Sequence, residues 1–171
     1  MTGYVALLRG VNLMGGTVLR MDDLKALAED LGLQSVRTFI ASGNLLYTSG
    51  KSERAIKSLL EDAVAKHMSR DVGVMVRTGE EMAAVLGANP FADEPGNRVV
   101  AIFLDEAPPK NAISEAKNVV DERVALGRRE IYVHYPSGQG RSKLRIPAAA
   151  KGTARNMNTV AKLAQLAKEL E

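Results

Sequence analysis

A glycine-rich basic segment near the C-terminus has the residue types that bind anions. It reads Gly-Gln-Gly-Arg-Ser-Lys from Gly138 to Lys143, so two glycines lie within the three residues before Arg141, and Ser142 and Lys143 follow it. Glycine-rich backbone can present several N–H groups to one anion, and a guanidinium and an ammonium group add positive charge. The Gly-Lys-Ser/Thr order of a Walker A loop is absent. The segment therefore predicts a phosphate site, and a flexible basic loop is the alternative.

Polar residues at the start of the last predicted helix extend this candidate site. The helix is expected at about 155–170, and its first turn contains no acidic residue. A helix N-terminus without an acid can accept an anionic group, because its first backbone N–H groups are unpaired. Arg155, Asn156 and Asn158 are therefore predicted to bind the same ligand, and an ordinary capped helix is the alternative.

A second candidate site combines Arg9 and Asn12 with Ser42 and Asn44. Arg9 and Asn12 follow the first predicted strand, and the other two residues lie in the turn after the second. A right-handed β-α-β connection makes these strands parallel, so both loops leave the sheet at the same end. A small anionic or amide-bearing ligand could bind between them. The alternative is that the polar side chains only satisfy backbone groups of their own loops.

Patterns for catalysis are weaker. Ser142 and Lys143 are adjacent and lack the Ser-x-x-Lys spacing, and neither His67 nor His134 lies in a pattern that would activate a serine. Cysteine is absent, which excludes disulfides, thiolate metal sites and cysteine nucleophiles. The sequence predicts no cofactor and no metal site, and an enzyme of unknown reaction class stays open as an alternative to a binding protein.

Short apolar and amphipathic segments must position these residues. Six segments between Tyr4 and Arg77 have the pattern strand, helix, strand, strand, helix, strand, and the same order begins again in the second half. The sequence therefore predicts an α+β protein with two ferredoxin-like β-α-β-β-α-β halves, mainly antiparallel sheets and helices on one face. The expected halves are 1–78 and 97–171, and a short helix and linker at 79–96 join them.

Local signals predict the individual elements. Ser52 is a candidate cap of the second helix, and Thr78 and Glu81 form a capping box that predicts a short helix after it. In the second half we expect a strand at 99–104, a helix at 110–120 and a hairpin at 123–135.

The distribution of charge favours an anionic partner. Residues 127–171 contain nine Lys and Arg and three Asp and Glu, whereas the rest of the chain has fourteen against seventeen. A small anionic molecule is the expected partner. Nucleic acid is a weaker alternative, because Tyr132 and His134 share one face of a predicted strand but the aromatic RNA-binding signature is absent.

The N-terminus lacks a signal-peptide pattern, and no apolar run reaches the roughly 18 residues that a membrane helix needs. We therefore expect a cytoplasmic protein without a membrane partner. The sequence does not indicate an oligomeric state.

Five short motifs, in their order along the chain, resemble a bacterial family known as domain of unknown function 1697. They are ALLRGVN at 6–12, VRTFIASGN at 36–44, NPF at 89–91, GRSKL at 140–144 and GTARN at 152–156. The resemblance covers essentially the whole chain and implies two ferredoxin-like halves, but it implies no activity. Met157 stands where many relatives have Trp, so an aromatic ring that stacks on a ligand there would be missing from this chain.

Overall fold

The computed structural model describes residues 1–12 and 18–171. The strands in this part of the chain form two four-stranded antiparallel sheets. Residues 13–17 belong to the loop that the sequence assigns to the Arg9 and Asn12 candidate site, and they lie outside the described residues. Four α-helices accompany the sheets in the described part of the chain, so the protein is α+β. None of these helices is both long and apolar enough to cross a membrane.

The chain divides into two compact units. The first unit is Met1–Met82 together with Leu163–Glu171, and the second is Ala83–Lys162. The predicted boundary, which assigned all of 97–171 to one half, differs from this division at the C-terminus. The last helix begins in the second unit and ends in the first, because its apolar positions continue without interruption across the boundary.

The first unit contains four strands and two complete helices. The strands are β1 (Thr2–Leu8), β2 (Gln34–Thr38), β3 (Asn44–Ser49) and β4 (Val74–Thr78), in the spatial order β2-β3-β1-β4. Helix α1 (Met21–Asp30) connects β1 to β2, and α2 (Glu53–Met68) connects β3 to β4. Strand β1 lies between β3 and β4, which explains why its sequence is almost entirely apolar.

Amphipathic helices cover the core of this unit. Leu24 on α1 and Ile56, Leu60 and Val64 on α2 are completely buried and belong to one cluster with the strands. Each such side chain stabilises the fold by about 1.5–3 kcal/mol through burial. Ser52 caps α2 as predicted, since its Oγ accepts a hydrogen bond of 3.2 Å from the backbone N–H of Ala55.

The predicted capping box forms at the start of α3 (Gly79–Gly87). The backbone N–H of Glu81 donates to Thr78 Oγ1 at 3.0 Å, and the backbone N–H of Thr78 donates to Glu81 Oε1 at 2.9 Å. These two bonds satisfy donors that a helix start otherwise leaves unpaired.

The second unit repeats the order of strands. It contains β5 (Val99–Phe103), β6 (Arg123–Leu126), β7 (Glu130–His134) and β8 (Thr153–Asn156), in the spatial order β6-β7-β5-β8, and β8 leads into α4 (Met157–Glu169). The hairpin predicted at 123–135 is present as β6 and β7. Its turn closes with a 2.7 Å bond from the Gly127 N–H to the Glu130 carbonyl.

The helix predicted at 110–120 is wrong. The chain there forms turns, and it then pairs with a distant segment through backbone hydrogen bonds between Lys117 and Arg145. Ala112 is buried, but Ile113, Val119 and Val120 are exposed. The segment therefore has no apolar stripe that a helix could bury against the sheet. Without that burial its helical propensity is too weak to form a helix, and the segment forms turns instead.

Strand β8 was missed by the sequence analysis, which placed Arg155 and Asn156 inside a helix. The helix begins instead at Met157, and Asn156 Oδ1 accepts a 3.0 Å hydrogen bond from the Thr159 N–H at its start. A four-residue strand that ends in a helix cap has too few alternating positions to be recognised as a strand.

Candidate functional site

The Asn12 side chain fastens two loops of the first unit to each other. Its Nδ2 donates to the carbonyls of Leu19 (2.9 Å) and Ala41 (2.6 Å), and its Oδ1 accepts from the Leu19 N–H at 2.6 Å. The loop after β1 therefore meets the turn before β3, as the strand directions predict. The amide of Asn12 is consumed by backbone groups, which was the alternative interpretation of this residue.

Asn44 is used in the same way. It is completely buried, and its Nδ2 donates to the Phe39 carbonyl at 2.9 Å and to Ser42 Oγ at 3.0 Å. Arg9 is exposed beside these loops, and its backbone N–H donates to the Gly73 carbonyl at 2.8 Å. The four predicted residues do come together at one end of the sheet. Asn12 and Asn44 hold the loop backbone at this end, and ligand binding by the cluster stays a prediction.

The basic segment of the second unit lines a cavity of about 390 Å³, which we call the polar cavity. Its walls are residues 118–122, Tyr135, residues 137–138 and residues 141–143. Three residues predicted from the sequence, Arg141, Ser142 and Lys143, therefore share one cavity. Another part of the lining is the stretch before β6, part of which the sequence had assigned to a helix.

Glu122 lines this cavity although nothing in the sequence marked it as a candidate. Its side chain is buried: Oε2 accepts a hydrogen bond from Ser142 Oγ, and Oε1 accepts from the N–H groups of Val120 (2.8 Å) and Asp121 (3.1 Å). The Ser142 hydroxyl, followed by these backbone donors, lowers the pKa of Glu122 to about 2. The carboxylate is therefore ionised at neutral pH. In the sequence, Glu122 follows the helix predicted at 110–120, and nothing in that pattern indicates that its side chain lines a cavity.

The two cations of the polar cavity have no side-chain partner among residues 1–12 and 18–171. Arg141 and Lys143 are exposed, and neither side chain forms a salt bridge or hydrogen bond with any described residue. Asp121, in contrast, accepts a 2.7 Å hydrogen bond from Ser137 Oγ. Both acids of the cavity thus accept hydrogen bonds from the protein, whereas the side chains of both cations donate to none of the residues that the structure describes.

Gly138 shapes the basic wall of the polar cavity. Its φ of +89° lies in the left-handed region that side chains rarely adopt, and an added Cβ would come within 3.1 Å of Nη1 of Arg98. The same Nη1 holds the loop by donating to the Pro136 carbonyl at 3.1 Å. Glycine at 138 therefore allows Arg98 to close the loop.

Arg155, Asn156 and Asn158 do not line the polar cavity. Arg155 is buried on β8, where Nη1 donates to Thr153 Oγ1 at 2.6 Å, and burial lowers its pKa to about 10. Asn156 caps α4, and the Asn158 side chain packs against Gly96. The helix start and the basic segment therefore do not share this cavity, and ligand binding by Arg155, Asn156 and Asn158 stays a prediction.

The remaining candidate positions are buried. Met157, at the position where relatives have an aromatic residue, is 4% exposed and packs inside the protein. The Tyr132 hydroxyl donates to the Val85 carbonyl at 2.7 Å, and His134 lies 5.9 Å from the Phe91 ring centre. Because Tyr132 and His134 are buried, they offer no surface on which bases could stack. The nucleic-acid alternative therefore gains no support from these two residues.

The described part of the chain contains no cluster of side chains that could hold a metal ion. No three Asp, Glu or His side chains of residues 1–12 and 18–171 converge as ligands of one ion. Asp121 and Glu122 are adjacent, but no third ligand joins them there.

Comparisons with known proteins place the chain without assigning an activity. A family model described as Protein of unknown function (DUF1697) matches residues 1–132. The structure of a conserved bacterial protein from Streptococcus pneumoniae is similar, with 25% identity, a TM-score of 0.80, and coverage of 97% of this chain and 98% of that chain. An unknown protein from Galdieria sulphuraria gives 13% identity, 98% and 92% coverage and a TM-score of 0.29. No curated protein matches the chain.

Proposed function

We propose that this chain, which belongs to the family Protein of unknown function (DUF1697), binds a small anionic molecule in the polar cavity. A phosphate-bearing metabolite is the ligand class that fits the residues best. The observation that carries this proposal is the state of the charged groups. Arg141 and Lys143 have no partner among the described residues, while Asp121 and Glu122 already accept hydrogen bonds.

The size and chemistry of the cavity support a small ligand. A volume of about 390 Å³ falls within the range of roughly 300–1,000 Å³ that is common for small-molecule sites. Charge-assisted hydrogen bonds from a guanidinium and an ammonium group favour a phosphate oxygen over water. The carboxylate of Glu122 repels an anion, but its charge is partly neutralised by three hydrogen-bond donors.

A second candidate function, an enzyme that uses Ser142 as a nucleophile, is favoured by one contact. The Ser142 hydroxyl donates to Glu122 inside a cavity, as a nucleophile beside a general base would. The pKa of Glu122, about 2, argues against it, because an effective general base has a pKa near the working pH. Incubation with a serine-directed fluorophosphonate tests this function. Modification of Ser142 would support it, and an unmodified Ser142 would reject it.

We further propose that each unit is ferredoxin-like and that the chain arose by duplication. The equal strand orders β2-β3-β1-β4 and β6-β7-β5-β8 support this proposal. The turns in place of a helix between β5 and β6 are then a later change in the second copy.

Isothermal titration with inorganic phosphate at low salt tests the proposed function. Wild-type protein is expected to bind. Each charged hydrogen bond contributes about 1.5–3 kcal/mol, so the Arg141→Ala/Lys143→Ala variant, which loses two cations, is expected to bind at least about 100-fold more weakly. Arg128→Ala is the matched control, since Arg128 is an exposed arginine of the same unit outside the cavity.

Two outcomes would reject the proposal. Equal affinity in wild-type protein and in the Arg141→Ala/Lys143→Ala variant would show that the cavity does not hold the anion. An equal loss in Arg128→Ala would show that only the general positive charge matters.

A further inference from the structure

A second cavity of about 580 Å³, which we call the apolar cavity, lies in the same unit as the polar cavity. Most of its lining is hydrophobic and comes from β5 and the segment before β8. The main lining side chains are Ile102, Tyr135, Leu144, Ile146, Pro147 and Ala149. An apolar concave surface beside a charged one matches the usual composition of a site for an organic ligand.

The two cavities share a wall. Tyr135 lines both of them. The chain segments also continue from one cavity into the other, since Lys117 and Arg145 line the apolar cavity next to residues of the polar one. Their backbones are joined by reciprocal hydrogen bonds, from the Lys117 N–H to the Arg145 carbonyl (2.8 Å) and from the Arg145 N–H to the Lys117 carbonyl (3.0 Å). The junction is therefore held by backbone bonds.

The Tyr135 hydroxyl at this junction has no partner. The residue is only 7% exposed, and its side chain forms no hydrogen bond with the described part of the protein. Burial, with a contribution from the charge of Glu122, raises the pKa of Tyr135, so the phenol keeps its proton. Here a protonated donor is available at the point where the cavities meet.

Positive charge also continues along the junction. The side chains of Lys117 and Arg145 are exposed and have no salt bridge within the described residues. Together with Arg141 and Lys143, they add four cationic side chains to the lining of the two cavities. A simple inorganic anion would use only the polar cavity and leave the apolar cavity empty.

We infer that the two cavities form one site for an organic anion that carries an apolar or aromatic group. The charged group binds in the polar cavity, the apolar group fills the apolar cavity, and the Tyr135 hydroxyl donates a hydrogen bond to the ligand at the junction. This inference rests on the proposed function and narrows the ligand class from any small anion to an amphiphilic one.

Titration with inorganic, methyl, butyl and hexyl phosphate tests the inference. Affinity is expected to rise about fourfold for each additional CH₂ group that becomes buried. Ala150→Phe, which adds a ring to an exposed residue of the apolar cavity, is expected to abolish this rise and leave the affinity for inorganic phosphate unchanged. The matched control is Ala107→Phe, at an exposed alanine outside both cavities. Tyr135→Phe is expected to weaken hexyl phosphate about fivefold.

The outcomes separate this inference from the proposed function. Binding of inorganic phosphate without a dependence on chain length would overturn the inference alone, and absence of binding by every phosphate would overturn both. A rise that survives Ala150→Phe but is lost in Val120→Ser would place the apolar group at the exposed mouth of the polar cavity instead. Sedimentation with phosphatidic acid vesicles, combined with no binding of hexyl phosphate, would point to a lipid surface and overturn a soluble ligand.

Discussion

The two sheets have the same order of strands, but their connections differ. In the first unit, α1 and α2 connect the strands and cover the core with buried leucine, isoleucine and valine side chains. In the second unit, the connection from β5 to β6 consists of turns, and the connection from β7 to β8 contains two 3₁₀ helices. Leu144 and Ile146 of that second connection are half-buried and pack against the core of the second unit. The polar and apolar cavities are lined by these irregular connections.

The polar loop residues of the two units differ in their hydrogen bonding. Asn12 and Asn44 hold the loops of the first unit, and their amide groups are occupied by backbone carbonyls. Arg141 and Lys143 in the second unit contact no partner within the described residues. The comparison teaches that polar loop residues indicate a ligand site only if the surrounding backbone leaves their donors available.

The largest expected effect is the loss of stability when the loops of the first unit are crowded. Gly43 has a φ of +89°, and a Cβ there would come within 2.6 Å of Val11 Cγ2 and 3.0 Å of Leu8 Cβ. Gly43→Ala is expected to lower the free energy of unfolding by about 3 kcal/mol through overpacking and backbone strain. Urea unfolding measures it. Gly140→Ala is the matched control in the second unit, because no atom lies within 4 Å of its Cβ position.

Equal losses in Gly43→Ala and Gly140→Ala would break the comparison, since they would mean that both loops are equally packed. Gly140→Ala is expected to change the free energy of unfolding by less than about 1 kcal/mol.

Two buried tyrosines extend the comparison of the units, with an expected difference of about 1 kcal/mol in the free energy of unfolding. Tyr132 in the second unit donates to the Val85 carbonyl, whereas the buried Tyr47 hydroxyl of the first unit has no hydrogen-bond partner in the described structure. Tyr132→Phe is expected to lower the free energy of unfolding by about 1 kcal/mol, and Tyr47→Phe to leave it unchanged or raise it. Chemical denaturation of both variants checks this. Destabilisation by Tyr47→Phe as large as that by Tyr132→Phe would contradict the assignment.

The smallest effect concerns acid pH. The pKa of Glu122 is lowered from 4.5 to about 2, so its contribution to stability is complete above about pH 4.5 and is lost as the pH falls toward 2. Ser142→Ala removes the main cause of this shift. The free energy of unfolding of that variant is therefore expected to fall less steeply between pH 4.5 and 2 than that of the wild type.

Unfolding curves recorded from pH 2 to 6 measure this slope. Ser114→Ala is the control, because the Ser114 hydroxyl donates to a backbone carbonyl and to no carboxylate. Identical slopes in the wild type and in Ser142→Ala would show that the Ser142 contact does not stabilise the ionised form of Glu122.

Strong local signals made most elements of the first unit predictable. The apolar run at β1, the Ser52 cap and the Thr78–Glu81 capping box each act within a few residues, so the sequence alone determines them. The connection after β5 was not predictable, because its conformation depends on backbone pairing between Lys117 and Arg145, which are far apart in the sequence.

The candidate site was predictable only where its residues are neighbours in the sequence. Arg141, Ser142 and Lys143 form one local motif, and they do line a cavity together. Glu122 and Tyr135 reach that cavity through the paired segments and strand β7, and nothing in their immediate sequence indicates it. Arg155 was assigned wrongly to a helix start, since the short strand β8 buries it instead.

The most direct test of the proposed anion site is to locate an anion of the same geometry. Crystals soaked with tungstate, a heavy analogue of phosphate, would show its position through anomalous scattering from tungsten. We predict a peak in the polar cavity within hydrogen-bond distance of Arg141 and Lys143, and no peak there in the Arg141→Ala/Lys143→Ala variant. An empty polar cavity in wild-type protein that binds phosphate in solution, or a peak that persists in the variant, would contradict the account.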